Sequence, residues 1–295
     1  MTTFTCSLCP RRCGALRTKD SQNGFCGLPS TPYVARAALH YGEEPCISGT
    51  NGSGTVFFAG CTLRCAFCQN HVISRVIAGK AVSPERLAEI FKELVEKGAH
   101  NINLVSPTPY VPAIIKALRL YQPPVPVVYN SSGYERVETL RSLDGLIDIY
   151  LPDFKYLSPA LSASLSGAED YATAAEAAIR EMARQTGPMV LDKDGIAVRG
   201  TMVRHLVLPG HTKESIAVLG RLRQILPDGV WLSLLFQYTP VVPVEGFPSL
   251  SRRLTKRECD KVWQYFDECG FTDGYVQDRE SAGTAMIPLF DNTGV

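Results

Sequence analysis

The sequence predicts an α/β protein, a parallel sheet or partial barrel, with a small cysteine-rich module in front of it. Three observations carry that expectation. Near-continuous apolar runs recur along the chain, amphipathic helical segments separate them, and seven of the ten cysteines fall into two tight groups within the first 70 residues. Strand–helix alternation repeated about six times implies right-handed crossovers in one sheet. In such folds the chemistry gathers at the C-terminal ends of the strands.

Taken in order, residues 1–50 are rich in cysteine, glycine and proline and show little periodicity, so they read as an irregular module stapled by a metal. Thr55–Phe58 opens the alternation as a short buried strand. "NINLVS" (101–106), "VPVVYN" (125–130), "LIDIYLPDF" (146–154), "MVRHLVLP" (202–209) and "VWLSLLFQY" (230–238) continue it. Apolar runs without alternation are the pattern of parallel strands covered on both faces. The clearest helix is "SPERLAEIFKELVEKG": Ser83 can cap it, Pro84 suits its first position and Glu85 suits its positive end. Leu87, Ile90, Phe91, Leu94 and Val95 form its apolar stripe, and Gly98 ends it. "YVPAIIKALRLY", "YERVETLRSL", "YATAAEAAIREMARQ" and "SIAVLGRLRQIL" fill the other gaps. Three units result: a module at 1–50, a barrel at 51–245, and an extension at 246–295 that packs on the barrel. The extension holds one helix, "KRECDKVWQYFDECG", and "VVPVEGFPSLS" is expected to cross the barrel mouth.

At 295 residues and a formal charge of +1, the chain lacks the basic excess of a general nucleic-acid or anionic-membrane binder. No run of about 18 apolar residues predicts a membrane span. The opening "MTTFTCSLCPRRCG" has no apolar stretch of signal-peptide type, so the expected location is the cytoplasm. There, crowded cysteines are metal ligands or catalytic thiols more often than disulfides. Cys46, Cys259 and Cys269 are scattered and read as packing.

"GCTLRCAFCQN" (60–70) places Cys61, Cys65 and Cys68 directly after the first strand, at the mouth of the barrel. Thiolates bind zinc or the iron of iron–sulfur clusters. Structural zinc closes with four ligands, whereas three thiolates on a four-iron cluster leave one iron for a substrate or cofactor. Cys-x3-Cys-x2-Cys in this position, with Phe67 before the last cysteine, resembles the radical S-adenosylmethionine (SAM) enzymes. The bland reading is a zinc or redox loop. The resemblance implies a partial (β/α)6 TIM-like barrel of the radical SAM type, with a 4Fe–4S cluster on these three cysteines. It further implies SAM on the open iron, cleaved reductively to a 5′-deoxyadenosyl radical that abstracts hydrogen. A one-electron donor such as flavodoxin or ferredoxin is then needed.

"GCTLRCAFCQN", "IYLPDFK" and "RHLVLPG" resemble, more narrowly, the pyruvate formate-lyase activating enzymes. The likeness is greatest to a group of uncharacterised homologues that add an N-terminal cysteine box and the run "EEPCISGTNGSGTVFFAGC", and it spans nearly the whole chain. It implies a glycine of a partner protein as hydrogen donor. A small molecule or peptide is the alternative substrate, and a non-catalytic electron carrier or metal-binding adaptor is the rival of another class.

The resemblance also assigns roles. Ser106 and Thr108 stand where these enzymes often carry Gly-Gly-Glu for the methionine amino group; that run is missing, leaving backbone carbonyls or Thr108. Asn130 and Ser132, with Ser131 between them, match a turn contacting ribose and methionine. Asp153 and Lys155 match an acidic–basic pair, and Arg204 an arginine near the cofactor carboxylate. Gln237 and Tyr238 stand where the activase has a histidine. Since neighbours alternate along a strand, only one of Arg204 and His205 can face the barrel interior, and the resemblance favours Arg204. Gly49, Gly52 and Gly54 precede a strand instead of joining a strand to a helix, so they read as a turn and not a phosphate loop. Gly60 is expected to let backbone approach the cluster.

The first cysteine group, Cys6, Cys9, Cys13 and Cys26, is spaced two, three and twelve, and "CPRRCG" resembles a metal knuckle. Four thiolates make a closed site, which suits zinc or an auxiliary iron–sulfur cluster equally. Arg11, Arg12, Arg17 and Lys19 are too few to argue for nucleic acid.

Overall fold

A computed structural model describes residues 3–277, 283 and 287–295. Twelve strands are described in it: β1 (Phe4–Thr5), β2 (Leu16–Arg17), β3 (Tyr33–His40), β4 (Ser53–Phe58), β5 (Lys80–Ala81), β6 (Ile102–Val105), β7 (Val127–Ser131), β8 (Ile149–Pro152), β9 (Val190–Leu191), β10 (Ala197–Leu206), β11 (Trp231–Leu235) and β12 (Gly274–Gln277). β1 and β2 form a separate antiparallel pair. The others form one sheet in the order β12-β11-β10-β8-β7-β6-β4-β3-β5, with β9 attached to β10. From β4 to β12 every neighbouring pair on that path is parallel. The six runs expected as strands are β4, β6, β7, β8, β10 and β11, and the α/β partial-barrel class holds.

Two strands extend the expectation. β3 lies inside the segment read as irregular, yet it pairs antiparallel with β4 from Val34 to His40. The division expected near residue 50 thus falls within a hairpin. β12 adds a parallel strand beyond β11. Both escape apolar-run reasoning because "YVARAALH" mixes alanine with arginine and "GYVQ" is only four residues long.

The helices are α1 (Pro45–Ser48), α2 (His71–Ser74), α3 (Pro84–Glu96), α4 (Val111–Leu120), α5 (Val137–Arg141), α6 (Pro159–Ser166), α7 (Tyr171–Thr186), α8 (Thr212–Ile225) and α9 (Lys256–Glu268). α3 begins as its sequence dictates, with the Ser83 side chain accepting from the Arg86 N–H. It buries Leu87, Ile90, Phe91 and Leu94 completely or nearly so, each contributing about 1.5–3 kcal/mol. α9 carries a capping box, Thr255 to Glu258 and back. α3 and α4 cover one flank of the sheet through a core that includes Phe58, Leu104 and Tyr129. α7, α8 and α9 cover the other through Val203, Leu219 and Val262.

The far end of the barrel, below the strands' N-terminal halves, is plugged by the β3–β4 connection. Cys46 and Ile47 of α1 pack there against Val128, Ile149, Leu151 and Met202. The glycines at 49, 52 and 54 belong to this lower end; Gly49 and Gly52 have positive φ, and the site lies at the opposite end.

Candidate active site

The C-terminal ends of the parallel strands surround a cavity of about 220 Å³. Cys61, Cys65 and Cys68 all line it. Their loop leaves β4 through Gly60, whose φ of +80° suits glycine and whose missing Cβ would collide with the Leu28 side chain. The glycine therefore makes room for Leu28. Backbone bonds fix the loop: Gly60 N donates to Ile73, Ala66 N to Leu165 and His71 N to Cys68. From outside, Arg11 donates to the carbonyls of Thr62 (3.1 Å) and Ser166 (2.6 Å) and stacks on Phe25 at 3.8 Å. Phe67 turns inward against Tyr156 and Tyr238.

The opposite wall is polar. The Asp153 carboxylate accepts from Lys155 Nζ at 2.5 Å and from Arg204 Nε at 3.1 Å. Arg204 also donates to Asn130 Oδ1 at 2.6 Å and to Glu43 Oε2 at 3.0 Å. Asn130 and Asn103 in turn donate to the other Glu43 oxygen. Register explains the convergence: Val105 pairs with Asn130, Asn130 with Leu151, and Asp153 bridges to Arg204. Tyr171, at the start of α7, ties two strand ends together through its hydroxyl, which lies within donating distance of the carbonyls of Ser132 and Asp153. Its oxygen also accepts from Lys155 N–H at 2.9 Å. Gly133 is held in the same corner; a Cβ there would collide with the Asp153 carbonyl oxygen.

The charges respond to one another. Burial would raise the Asp153 carboxyl, but Lys155 and Arg204 outweigh it and hold it below the ordinary range. Burial likewise works against the Lys155 ammonium, yet the Asp153 carboxylate keeps it above its usual value. Arg204 stays firmly charged because Asp153, Glu44 and Glu43 overcome its desolvation. Glu44, buried beside Glu43, is pushed up chiefly by burial, and one of its oxygens finds no partner within the described residues. Burial and the neighbouring thiols push Cys61 up to about 12, so occupation by a metal would have to displace its proton.

Ser106, Asn130, Ser132, Asp153, Lys155 and Arg204 all line the cavity with the three cysteines. Ser106 takes a left-handed φ of +59° at its strand end. Thr108 is the exception. It is buried outside the cavity lining, and its hydroxyl donates to Glu135 at 2.6 Å, so the expected contact through its side chain is not available. His205 points the other way, its Nδ1 2.7 Å from the Phe154 carbonyl oxygen, and burial lowers its pKa to about 4. Gln237 and Tyr238 line the cavity, Tyr238 with its hydroxyl on the Leu250 carbonyl. The "VVPVEGFPSLS" loop contributes nothing to the lining; Gly283, Ile287 and Pro288 from the tail stand there instead. Glu43 and Tyr171 were not anticipated. An acidic pair before a proline reads as a solvated loop, and only the plug carries Glu43 to Arg204.

Among the described residues no three Cys, His, Asp or Glu side chains meet around a single-ion position. A cubane cluster takes its three thiolates on three different irons, so three soft donors spread along one cavity wall fit it better than they fit a lone ion.

The chain belongs to the radical SAM superfamily, whose family model matches residues 55–222. That membership implies a 4Fe–4S cluster and SAM, which when bound supply one-electron cleavage of the sulfonium to a hydrogen-abstracting radical. The uncharacterized protein MJ0674 of Methanocaldococcus jannaschii is 30% identical over 266 residues, covering 87% of this chain and 72% of that protein. A radical SAM methyltransferase from Sphaerobacter thermophilus superposes with a TM-score of 0.53 at 15% identity, over 76% of this chain and 66% of the other. Streptococcus suis SuiB bound to its precursor peptide SuiA gives 0.50 at 13% identity, over 74% of this chain and 47% of SuiB. A cysteine-to-alanine mutant of spore photoproduct lyase gives 0.50 at 11%, over 88% and 80%. These likenesses are of fold. No described helix is long and apolar enough to cross a membrane.

Proposed function

We propose that the protein abstracts hydrogen from a glycine of a partner protein, in the manner of the activating enzymes its motifs resemble. The observation that carries the catalytic part is the shared cavity: three thiols on one wall, and Asn130, Asp153, Lys155 and Arg204 on the other. In this reading Cys61, Cys65 and Cys68 hold the cluster. Arg204 and Lys155 offer cationic donors to a carboxylate, and Asn130, Ser132 and the Ser106 turn offer polar contacts to the rest of SAM. Asp153 does not act alone; it fixes both cations in place. A flavodoxin- or ferredoxin-like protein supplies the electron.

Anaerobic, reduced protein given SAM is expected to form 5′-deoxyadenosine, and retention of that activity in a Cys61/Cys65/Cys68→Ala variant would overturn the reading. A second reading, a small-molecule or peptide substrate, is favoured by Ile287 and Pro288 standing at the mouth. Phe290, packed on Phe57, anchors that wall. Fractionated extract separates the two. Stimulation of 5′-deoxyadenosine formation by the non-dialysable fraction supports a protein partner, whereas stimulation by the dialysable fraction supports the second reading.

A further inference from the structure

We infer that Cys6, Cys9, Cys13 and Cys26 hold a second, thiolate-bound metal centre whose negative charge is answered by the buried Arg17. The four cysteines line one small cavity on the outer side of the cluster loop, where Thr62 also contributes. None is in a disulfide. Local structure gathers them: Cys6 N donates to Ala15 O, Gly14 N to Cys6 O and Arg12 N to Cys9 O, so the first three are folded into one tight turn. The β1–β2 pair closes it, with Phe4 opposite Arg17.

Arg17 is the independent observation. It is 1% exposed, the most deeply buried cation of the module. Its two terminal nitrogens reach Cys6 Sγ at 3.8 Å, Cys26 Sγ at 4.0 Å, the Pro109 carbonyl at 3.1 Å and the Pro29 carbonyl. Its Nε, also buried, has no partner, and no ion pair to a carboxylate is found for it within the described residues. A guanidinium cannot shed its proton, and a buried charge without a counter-charge is strongly disfavoured. Neutral thiols do not provide one. Four thiolates on a divalent zinc, or on an iron–sulfur cluster, carry net negative charge and do. Among the described residues the four sulfurs do not close around a single-ion point, so the donor set fits an iron–sulfur cluster, with its thiolates on separate irons, better than zinc, and Arg17 lies on two of those sulfurs.

The site is tested in a background that lacks the three thiols of the cluster loop. The Cys61/Cys65/Cys68→Ala protein is purified anaerobically and assayed for zinc, iron and sulfide per chain. About one zinc per chain, or about four iron with matching sulfide, is expected. Zinc shows no visible absorption, and an iron–sulfur centre shows charge-transfer bands, so the metals are told apart. Mass spectrometry after alkylation is expected to find Cys6, Cys9 and Cys26 protected until a chelator is added. In the same background Arg17→Met is expected to lose metal to chelator at least ~10-fold faster, with partial recovery in Arg17→Lys, as loss of a buried counter-charge worth about 1.4 kcal/mol or more requires. A metal-free protein whose four thiols alkylate at once overturns the site. Metal retained equally by Arg17→Met overturns the charge argument. Neither outcome depends on SAM cleavage.

Discussion

Two groups of cysteines lie close to the loop that follows β4, one lining the strand-end cavity and the other a small cavity to which Thr62 of that loop contributes, and their surroundings differ. Cys61, Cys65 and Cys68 face a cavity whose other wall is built from charged strand ends. Cys6, Cys9, Cys13 and Cys26 line a small cavity with Arg11, Phe25 and the buried Arg17, which reaches two of their sulfurs. Three thiols with an open side invite a further ligand; four with a closed side do not. The lesson is that the number of sulfurs matters less than what the fold places across from them.

The sharpest way to break this contrast is at the open site. Replacing Cys61, Cys65 and Cys68 by alanine is expected to lower 5′-deoxyadenosine formation on the order of 10³-fold or more, to background, measured by chromatography of anaerobic reactions. Equal loss on replacing only the closed group would erase the distinction.

Next in size is Arg204→Met. It would leave Glu43 and Asp153 facing each other without their shared cation, and removing one partner of a buried pair costs about 3–5 kcal/mol. Calorimetry at neutral pH should record a fall in Tm of roughly 6 °C or more, and an unchanged Tm would show that the wall does not depend on it.

Glu135 tests a buried carboxyl inside the barrel wall. Its carboxyl accepts from Thr108 and from Tyr129, and burial lifts its pKa to about 7. The folded chain therefore holds a proton that the unfolded chain has released above about pH 4.5. Stability should fall as pH rises from there to about 7 and level off beyond, by about 3 kcal/mol in all. Glu135→Gln should flatten this slope in denaturant titrations across pH 5–8; an unchanged slope would assign it to other groups.

Smallest is Arg11→Ala, which removes the clamp between the two cysteine groups and its stacking on Phe25. We expect a loss of about 1–2 kcal/mol and lower iron content after reconstitution, with the closed group's metal unaffected.

The barrel was legible because its strands are buried on both faces and so announce themselves as apolar runs. The cysteine loop was legible because its spacing is local. Strand alternation put Arg204 and His205 on opposite faces, the resemblance chose Arg204 for the interior, and their side chains do diverge. What depended on distant pairing was hidden. β3 reads as nothing until β4 lies beside it, Thr108 looks like a site residue until Glu135 claims its hydroxyl, and Glu43 looks solvated until the plug turns it inward. The tail at the mouth was hidden for the same reason: Asn292 and Thr293 bond to Ala35 and Ala37, some 250 residues away in sequence.

Because Cys46 and Ile47 stopper the lower end, the described cavity is a cup whose floor is protein. Glu43 belongs to the same connection as that stopper, so whatever anchors the base of the cup also sets where Arg204 is held.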